Sequence, residues 1–275
     1  MIIHAIKNWA RTSLTVQGAI QQFNLFKLRN FQSLSDDIFI VTYPRSGTTL
    51  MQMMLYQLTT DGSMEFEHIK KISPWLEMNP PSLDRLQSMP RPRVFKTHLE
   101  LKKAKRFDGK LIYVVRDGRD VALSYYHLHC GYFGFRGTFE EFFEEFMKGN
   151  IFYGSWFDHV AQWKSYSESS PVLFLKYEEI VASMNDAVRQ VAQFCKLNLE
   201  EADFNRTAER CHISFMKQYE EKFGPPKPKS TKSVSDESRS FIRKGKSGGW
   251  QESFTPEMKA RFQEKLEKTL PGLYN

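Results

Sequence analysis

With 275 residues, 41% hydrophobic and 14% aromatic, the chain can bury a core of the size one α/β domain needs, and a single domain over residues 1–275 is expected. No run approaches the roughly 18 apolar residues that cross a bilayer, and the start, MIIHAIKNWARTSLTVQG, lacks the charged region, apolar run and small-residue cleavage site of a secretory signal. A cytoplasmic protein with no membrane partner is therefore expected. The net charge of +7 suits an anionic partner without saying which; the basic residues are scattered and carry no nucleic-acid-binding signature, so no nucleic acid is expected, and a polyanionic nucleotide would suit the charge equally well.

In chain order, short apolar runs predict strands at Ile38 to Tyr43, Arg93 to Phe95, Leu111 to Val115 and Val172 to Leu175. Apolar positions at three- and four-residue spacing predict helices at Thr48 to Leu58, Asp120 to His129, Phe139 to Met147, Trp156 to Tyr166 and Asn185 to Phe194. Strands alternating with helices imply an α/β fold: a central parallel sheet flanked by helices on both faces. Trp156, Val160 and Trp163 share one helical face and read as core. The stretch Gly224 to Ser240, rich in Pro, Lys and Ser, reads as a mobile loop within the domain. Three cysteines, Cys130, Cys195 and Cys211, cannot all pair and are expected as reduced thiols. His127, His129 and Cys130 do not fall on one helix face and no distant His or Cys motif complements them, so no metal is expected.

The sharpest local signal is IFIVTYPRSGTTLMQMMLYQL, a buried strand, then Pro44-Arg45-Ser46-Gly47-Thr48-Thr49, then an amphipathic helix. Gly47 lets the backbone approach a phosphate, and successive N–H groups at the start of the helix point positive ends at it. Thr48 and Thr49 add hydroxyls and Arg45 a planar cation. The loop does not match G-x-x-x-x-G-K-[ST], which makes a magnesium-dependent kinase the lesser reading. His98 follows a predicted strand in Lys96-Thr97-His98, where a residue can face the same crevice as the phosphate loop. An imidazole there could take a proton near neutral pH. Asp120 is a plausible cap for the helix after Leu111 to Val115, and Arg116 and Ser124 can converge near its start. Arg119 and Asp120 read as a simple surface pair.

TYPRSGTTL, FKTHLE (95–100), VVRDGRDVALSYYH (114–127), YGSWFDHVAQWK (153–164), LKYEEI (175–180) and FIRKGKSGGW (241–250) together resemble the cytosolic sulfotransferase family, in its order and over nearly the whole chain. The resemblance implies a P-loop-like sulfotransferase fold and transfer of a sulfuryl group from 3′-phosphoadenosine 5′-phosphosulfate (PAPS), leaving 3′-phosphoadenosine 5′-phosphate (PAP), to a hydroxyl or amine of a small, hydrophobic acceptor. It implies His98 as general base, Lys96 on the sulfuryl oxygens and Arg45 on the leaving phosphate. Nucleotide contacts fall on Arg45, Ser46, Gly47, Thr48, Thr49 and Leu50, on Arg116 and Ser124 for the 3′-phosphate, and on Phe241, Ile242, Arg243, Lys244 and Gly245 as a second clamp. Tyr177, Ser214 and Phe215 match positions near the adenine, although core packing suits Tyr177 and Phe215 equally. The acceptor falls beside Trp75, Met78, Leu128 and Phe133, with Lys96 and His98.

Four positions depart from the family pattern: Arg45 stands where lysine is usual, Leu50 follows the threonine pair in place of tryptophan, Ile213 takes a common threonine position, and Gly249 precedes Trp250 where aspartate is usual. Arginine stays protonated, so Arg45 would act electrostatically rather than as a proton donor. The family's dimer motif is broken, with Gln251, Thr255, Pro256 and Ala260 at its key places, which leaves the oligomeric state open. Two other classes stay open: a kinase-like nucleotide phosphotransferase, against which Arg116, Ser124 and the RKG segment argue, and a non-catalytic nucleotide binder, against which His98 argues.

Overall fold

Four short runs of β-branched, aliphatic and aromatic residues form the strands, and their pairing fixes everything downstream. In the computed structural model, which describes residues 18–26, 28–225, 240–242, 245 and 247–274, β1 (Ile38–Thr42), β2 (Val94–Thr97), β3 (Lys110–Val115) and β4 (Val172–Lys176) make one sheet in the order β2-β1-β3-β4. All three pairings are parallel, with Val41 opposite Thr97, Thr42 opposite Val114, and Val115 opposite Lys176. The α/β architecture is as expected, with strand bounds shifted by up to two residues.

Parallel strands are buried on both faces, and alternation along β1 divides the core. Phe39, Val41 and Tyr43 pack on one side with Phe95, Tyr113, Phe143, Trp156, Trp163 and Phe262. Ile38 and Ile40 pack on the other with Met51, Met54, Ile112, Val188 and Val191. The first side is covered by α2 (Gly118–Tyr132), α3 (Phe139–Lys148), α4 (Trp156–Ser167) and α8 (Pro256–Thr269); the second by α1 (Thr48–Thr59), α5 (Tyr177–Ala182), α6 (Met184–Cys195) and α7 (Glu201–Cys211). Trp156, Val160 and Trp163 are fully buried, as their common helical face predicts. Full burial of side chains this large is worth about 1.5–3 kcal/mol each, which makes the aromatic layer a main support of the sheet.

Helix starts differ in a way that matters for the site. Asp117 caps α2 by accepting from Arg119 N–H, Thr138 and Glu141 form a capping box at α3, Ser155 caps α4 and Thr255 caps α8. The cap expected at Asp120 is thus supplied three residues earlier, because Asp117 is the last non-helical residue. At α1 the residue before the helix is Gly47, which has no side chain to donate an oxygen.

The segment expected as a mobile loop lies mostly outside the described residues, from 226 to 239. Its described ends are tied down: the Gly224 carbonyl is 2.9 Å from His68 Nε2, and Ser240 Oγ and Ile242 N–H both donate to Glu220 Oε1 at 2.7 Å. Cys130, Cys195 and Cys211 are free thiols, the last two buried. No helix among the described residues is long and apolar enough to cross a membrane.

Candidate active site

Because the four strands run the same way, their carboxyl ends share one edge of the sheet, and predicted site residues follow each end. Tyr43 to Gly47 follows β1, His98 follows β2, Arg116 follows β3 and Tyr177 begins the helix after β4. This is the crevice in which open parallel sheets bind ligands.

The loop after β1 is shaped for an anion. Gly47 sits at φ 100°, and a Cβ there would lie 2.7 Å from the Tyr177 ring, so only glycine lets the backbone pass. Without a side-chain cap, the first N–H groups of α1 remain directed at the loop. The Ser46 hydroxyl is wholly buried and meets no hydrogen-bond partner among the described residues, an orphan that a phosphate oxygen would satisfy. Thr48 is committed elsewhere: its Oγ1 lies 2.7 Å from Thr42 Oγ1. Thr49 is half-buried and Leu50 buried at the base of the helix. These features fit a nucleotide phosphate.

His98 is held from every side. Its Nδ1 lies 2.8 Å from the Thr42 carbonyl oxygen. A carbonyl can only accept, so Nδ1 carries the proton and Nε2 presents its lone pair. The backbone N–H of His98 donates to Glu77 Oε1 at 2.7 Å. Its carbonyl faces His159 Nε2 at 3.3 Å, and Tyr113 O–H donates to His159 Nδ1 at 2.8 Å. Burial brings His159 down to about 4, which keeps its ring neutral and its single proton on Nε2. His98 itself is only 5% exposed. Burial first, and the Lys96 and Arg45 cations next, hold its imidazole well below the usual range, although the Thr42 hydrogen bond pulls the other way.

Trp75 and Tyr153 wall the imidazole. Their rings stand edge-on to His98 at 5.1 and 5.2 Å and lie nearly parallel to one another at 6.4 Å. The chain from Pro74 runs along the outer edge of β2, with Lys96 N–H donating to Pro74 O and Leu76 N–H to Lys96 O, which brings Trp75 and Glu77 to the site. Lys96 Nζ lies 4.1 Å from the Trp75 ring centre. Burial lowers the Lys96 ammonium to about 8, partly offset by Glu77. Met78 adjoins Trp75 and is half-buried; Leu128 lies partly buried on α2, and Phe133, at its end, is 43% exposed.

The other end of the crevice, where the nucleotide is expected, gathers Arg45, Arg116, Ser124, Tyr177 and the returning segment. Arg45, itself at positive φ, donates from Nε to Ser124 Oγ and from Nη2 to the Phe241 carbonyl, both at 3.0 Å, with its guanidinium 4.9 Å from the Phe241 ring. Residues assigned to opposite phosphates are thereby joined. Arg116 lies 4.6 Å over the Tyr177 ring and reaches the Arg45 carbonyl at 3.4 Å. Tyr177 donates to the Gly245 carbonyl at 3.3 Å, and a Cβ on Gly245 would lie 2.0 Å from Ile213 Cδ1. Ile213 thus fills the space against which this backbone turns. Phe215 packs on Tyr219 and the second core layer, Ser214 is exposed and Ile242 is half-buried. Arg243 and Lys244 lie outside the described residues.

Arg119 and Asp120 are not a surface pair. Arg119 pairs with Asp117 at 2.7 Å and lies 4.0 Å over Trp250. Asp120, only 3% exposed, accepts from Gly248 N–H at 2.8 Å and Trp250 N–H at 3.2 Å, which fastens the returning segment to α2. Spacing on a helix could not reveal this, because the partners are about 130 residues away. Glu77, Tyr153, His159 and Thr42 were also missed. Tyr153 and His159 lie inside YGSWFDHVAQWK, which was the available signal.

A family model described as "Sulfotransferase domain" matches residues 35–273. The chain belongs to the sulfotransferase family. Mouse sulfotransferase 1B1 is 34% identical over 264 residues, with 90% of this chain and 87% of the relative covered. Human sulfotransferase 1C2 is 32% identical over 265 residues, covering 90% and 88%. Among solved structures, mouse sulfotransferase SULT7A1 complexed with PAP aligns with a TM-score of 0.71 at 26% identity, over 90% of this chain and 89% of that one. Retinol dehydratase in a complex with retinol and PAP aligns with a TM-score of 0.74 at 23% identity, over 92% and 86%, and shares the fold.

Proposed function

We propose that this sulfotransferase moves the sulfuryl group of PAPS to the hydroxyl or amine of a small, hydrophobic acceptor, with His98 as general base. One observation carries the reading: an imidazole whose proton is fixed on Nδ1 by the Thr42 carbonyl stands at the same sheet edge as an uncapped helix start with an orphaned buried hydroxyl. The mouse relative complexed with PAP supports the choice of nucleotide.

His98 Nε2 would accept the acceptor's proton as its oxygen or nitrogen attacks sulfur and the bond from sulfur to the bridging phosphate oxygen breaks. PAP leaves with that electron pair. The base starts neutral, and the anionic donor offsets the two cations that disfavour its protonated form. Lys96 would stabilise charge on the sulfuryl oxygens, and Arg45 on the departing phosphate, as in other in-line transfers of charged groups. Backbone N–H groups at Gly47 to Thr49 and the Ser46 hydroxyl would hold the 5′-phosphate. Arg116 and Ser124, with Arg243 and Lys244, would hold the 3′-phosphate by charge-assisted hydrogen bonds. Trp75 and Tyr153, with Met78, Leu128 and Phe133, would exclude water around an apolar acceptor. The resemblance to the cytosolic sulfotransferase family supports placing it in the cytoplasm.

Calorimetric titration with PAP beside 5′-AMP and ATP, each with and without magnesium, tests the reading. Tight, magnesium-independent binding that demands the 3′-phosphate is expected; preference for magnesium-ATP would replace it with the phosphotransferase.

A further inference from the structure

We propose that Glu77 is a positioning residue of the transfer: one buried carboxylate fixes the peptide of the base, pins the aromatic wall and sets a negative charge near Lys96. The inference rests on the sulfuryl-transfer reading and deepens it.

Glu77 is fully buried. Its Oε1 accepts from His98 N–H at 2.7 Å and from Tyr153 O–H at 3.2 Å. The other oxygen, Oε2, is also buried and meets no donor at hydrogen-bond geometry among the described residues. Burying a carboxylate is expensive, and an amide would accept the same two hydrogen bonds at lower cost. What an amide lacks is charge, and the charge has a target. Lys96 leaves the adjacent strand end toward the same side, half-buried over Trp75, and makes no ion pair within 4 Å among the described residues. The groups facing it are Glu77, which favours its protonated form, and Lys70 and Arg45, which oppose it together with burial. His98 faces it as a neutral ring and Tyr153 as a phenol whose proton burial retains. Among these groups of the described residues, Glu77 is the one that supports the ammonium. Burial also pushes the Glu77 carboxyl upward, so the acid and the ammonium depend on one another.

The sign follows. Removing the negative charge lowers the pH at which Lys96 loses its proton, so functions that need the ammonium disappear at lower pH. A residue that only braced the backbone would leave that midpoint in place.

The experiment uses the full chain, wild type, Glu77→Gln and Glu77→Asp, each checked for cooperative thermal unfolding. Calorimetry without acceptor measures how much more tightly PAPS binds than PAP from pH 6 to 10, since the sulfuryl group is the difference between them. In wild type the advantage should fade as pH rises through the Lys96 titration. In Glu77→Gln the midpoint should move down by about one pH unit, with PAP affinity unchanged. With a neutral aliphatic alcohol as acceptor, kcat should fall about tenfold with little change in the KM for PAPS, the pattern of a displaced base. Glu77→Asp keeps the charge but shortens the reach, so the midpoint should stay and turnover still drop. An unmoved midpoint in Glu77→Gln, or full turnover in Glu77→Asp, overturns the proposal; should Glu77→Gln not fold, the aspartate variant decides. A wild type that binds PAP no better than 5′-AMP would instead overturn the sulfotransferase reading itself.

Discussion

The two ends of the crevice are built on opposite plans. At the His98 end the residue is held by the protein itself, bonded at N–H, carbonyl and Nδ1 to Glu77, His159 and Thr42 in turn. At the nucleotide end, helix α1 starts without a side-chain cap, Ser46 keeps a buried hydroxyl unmatched, and Arg45 and Arg116 rest on a hydroxyl, carbonyls and aromatic faces. The difference teaches where each part draws its order. A base must be aimed before the substrate arrives, so its partners are internal; a phosphate clamp must exchange weak contacts for strong ones, so its donors are left with replaceable partners.

The largest effect expected of any test of this contrast is from His98→Ala. Transfer should drop by about 10²–10⁴-fold, the usual worth of a general base, while PAP affinity stays within about twofold of wild type. A large loss of PAP binding would show that the two ends are not separate and would remove His98 from its role. Arg116→Ala probes the other end. Losing a charge-assisted hydrogen bond costs about 1.5–3 kcal/mol, so PAP should bind roughly ten- to a hundredfold more weakly while 5′-AMP is little affected. Equal losses for both nucleotides would mean that Arg116 supports the fold through Tyr177 rather than reading the 3′-phosphate. The mildest change is Asp120→Asn, whose amide keeps one acceptor for the N–H groups of Gly248 and Trp250. PAP affinity should fall a few-fold and thermal stability by about 1 kcal/mol, with turnover at saturating donor unchanged. A loss of turnover instead would tie the fastening of the returning segment to the chemistry.

Much of the fold could be read before the structure because its signals are local. Continuous apolar character and length mark β1, β3 and β4, and the glycine at 47 marks a turn only glycine can make. His98 was legible from position and motif, since a residue just past a parallel strand must face the crevice. The rest of the site was not, for a physical reason: Glu77, His159 and Asp120 act through partners 21, 61 and about 130 residues away. A glutamate in PWLEM or an aspartate beside an arginine carries the composition of a surface, and only tertiary burial turns it into an anchor. The same holds for Arg45, whose motif places it at the 5′-phosphate while its side chain lies on Ser124.

The peptide of His98 is gripped by residues from elements other than those that supply Leu128 and Phe133. On the proposed assignment, the part of the acceptor wall that Leu128 and Phe133 supply can therefore change apart from the chemistry. The distal wall can be redrawn, by selection or by an engineer, for acceptors of new size and shape while Thr42, Glu77 and His159 keep the imidazole on its mark, so new specificities can arise without passing through inactive ancestors.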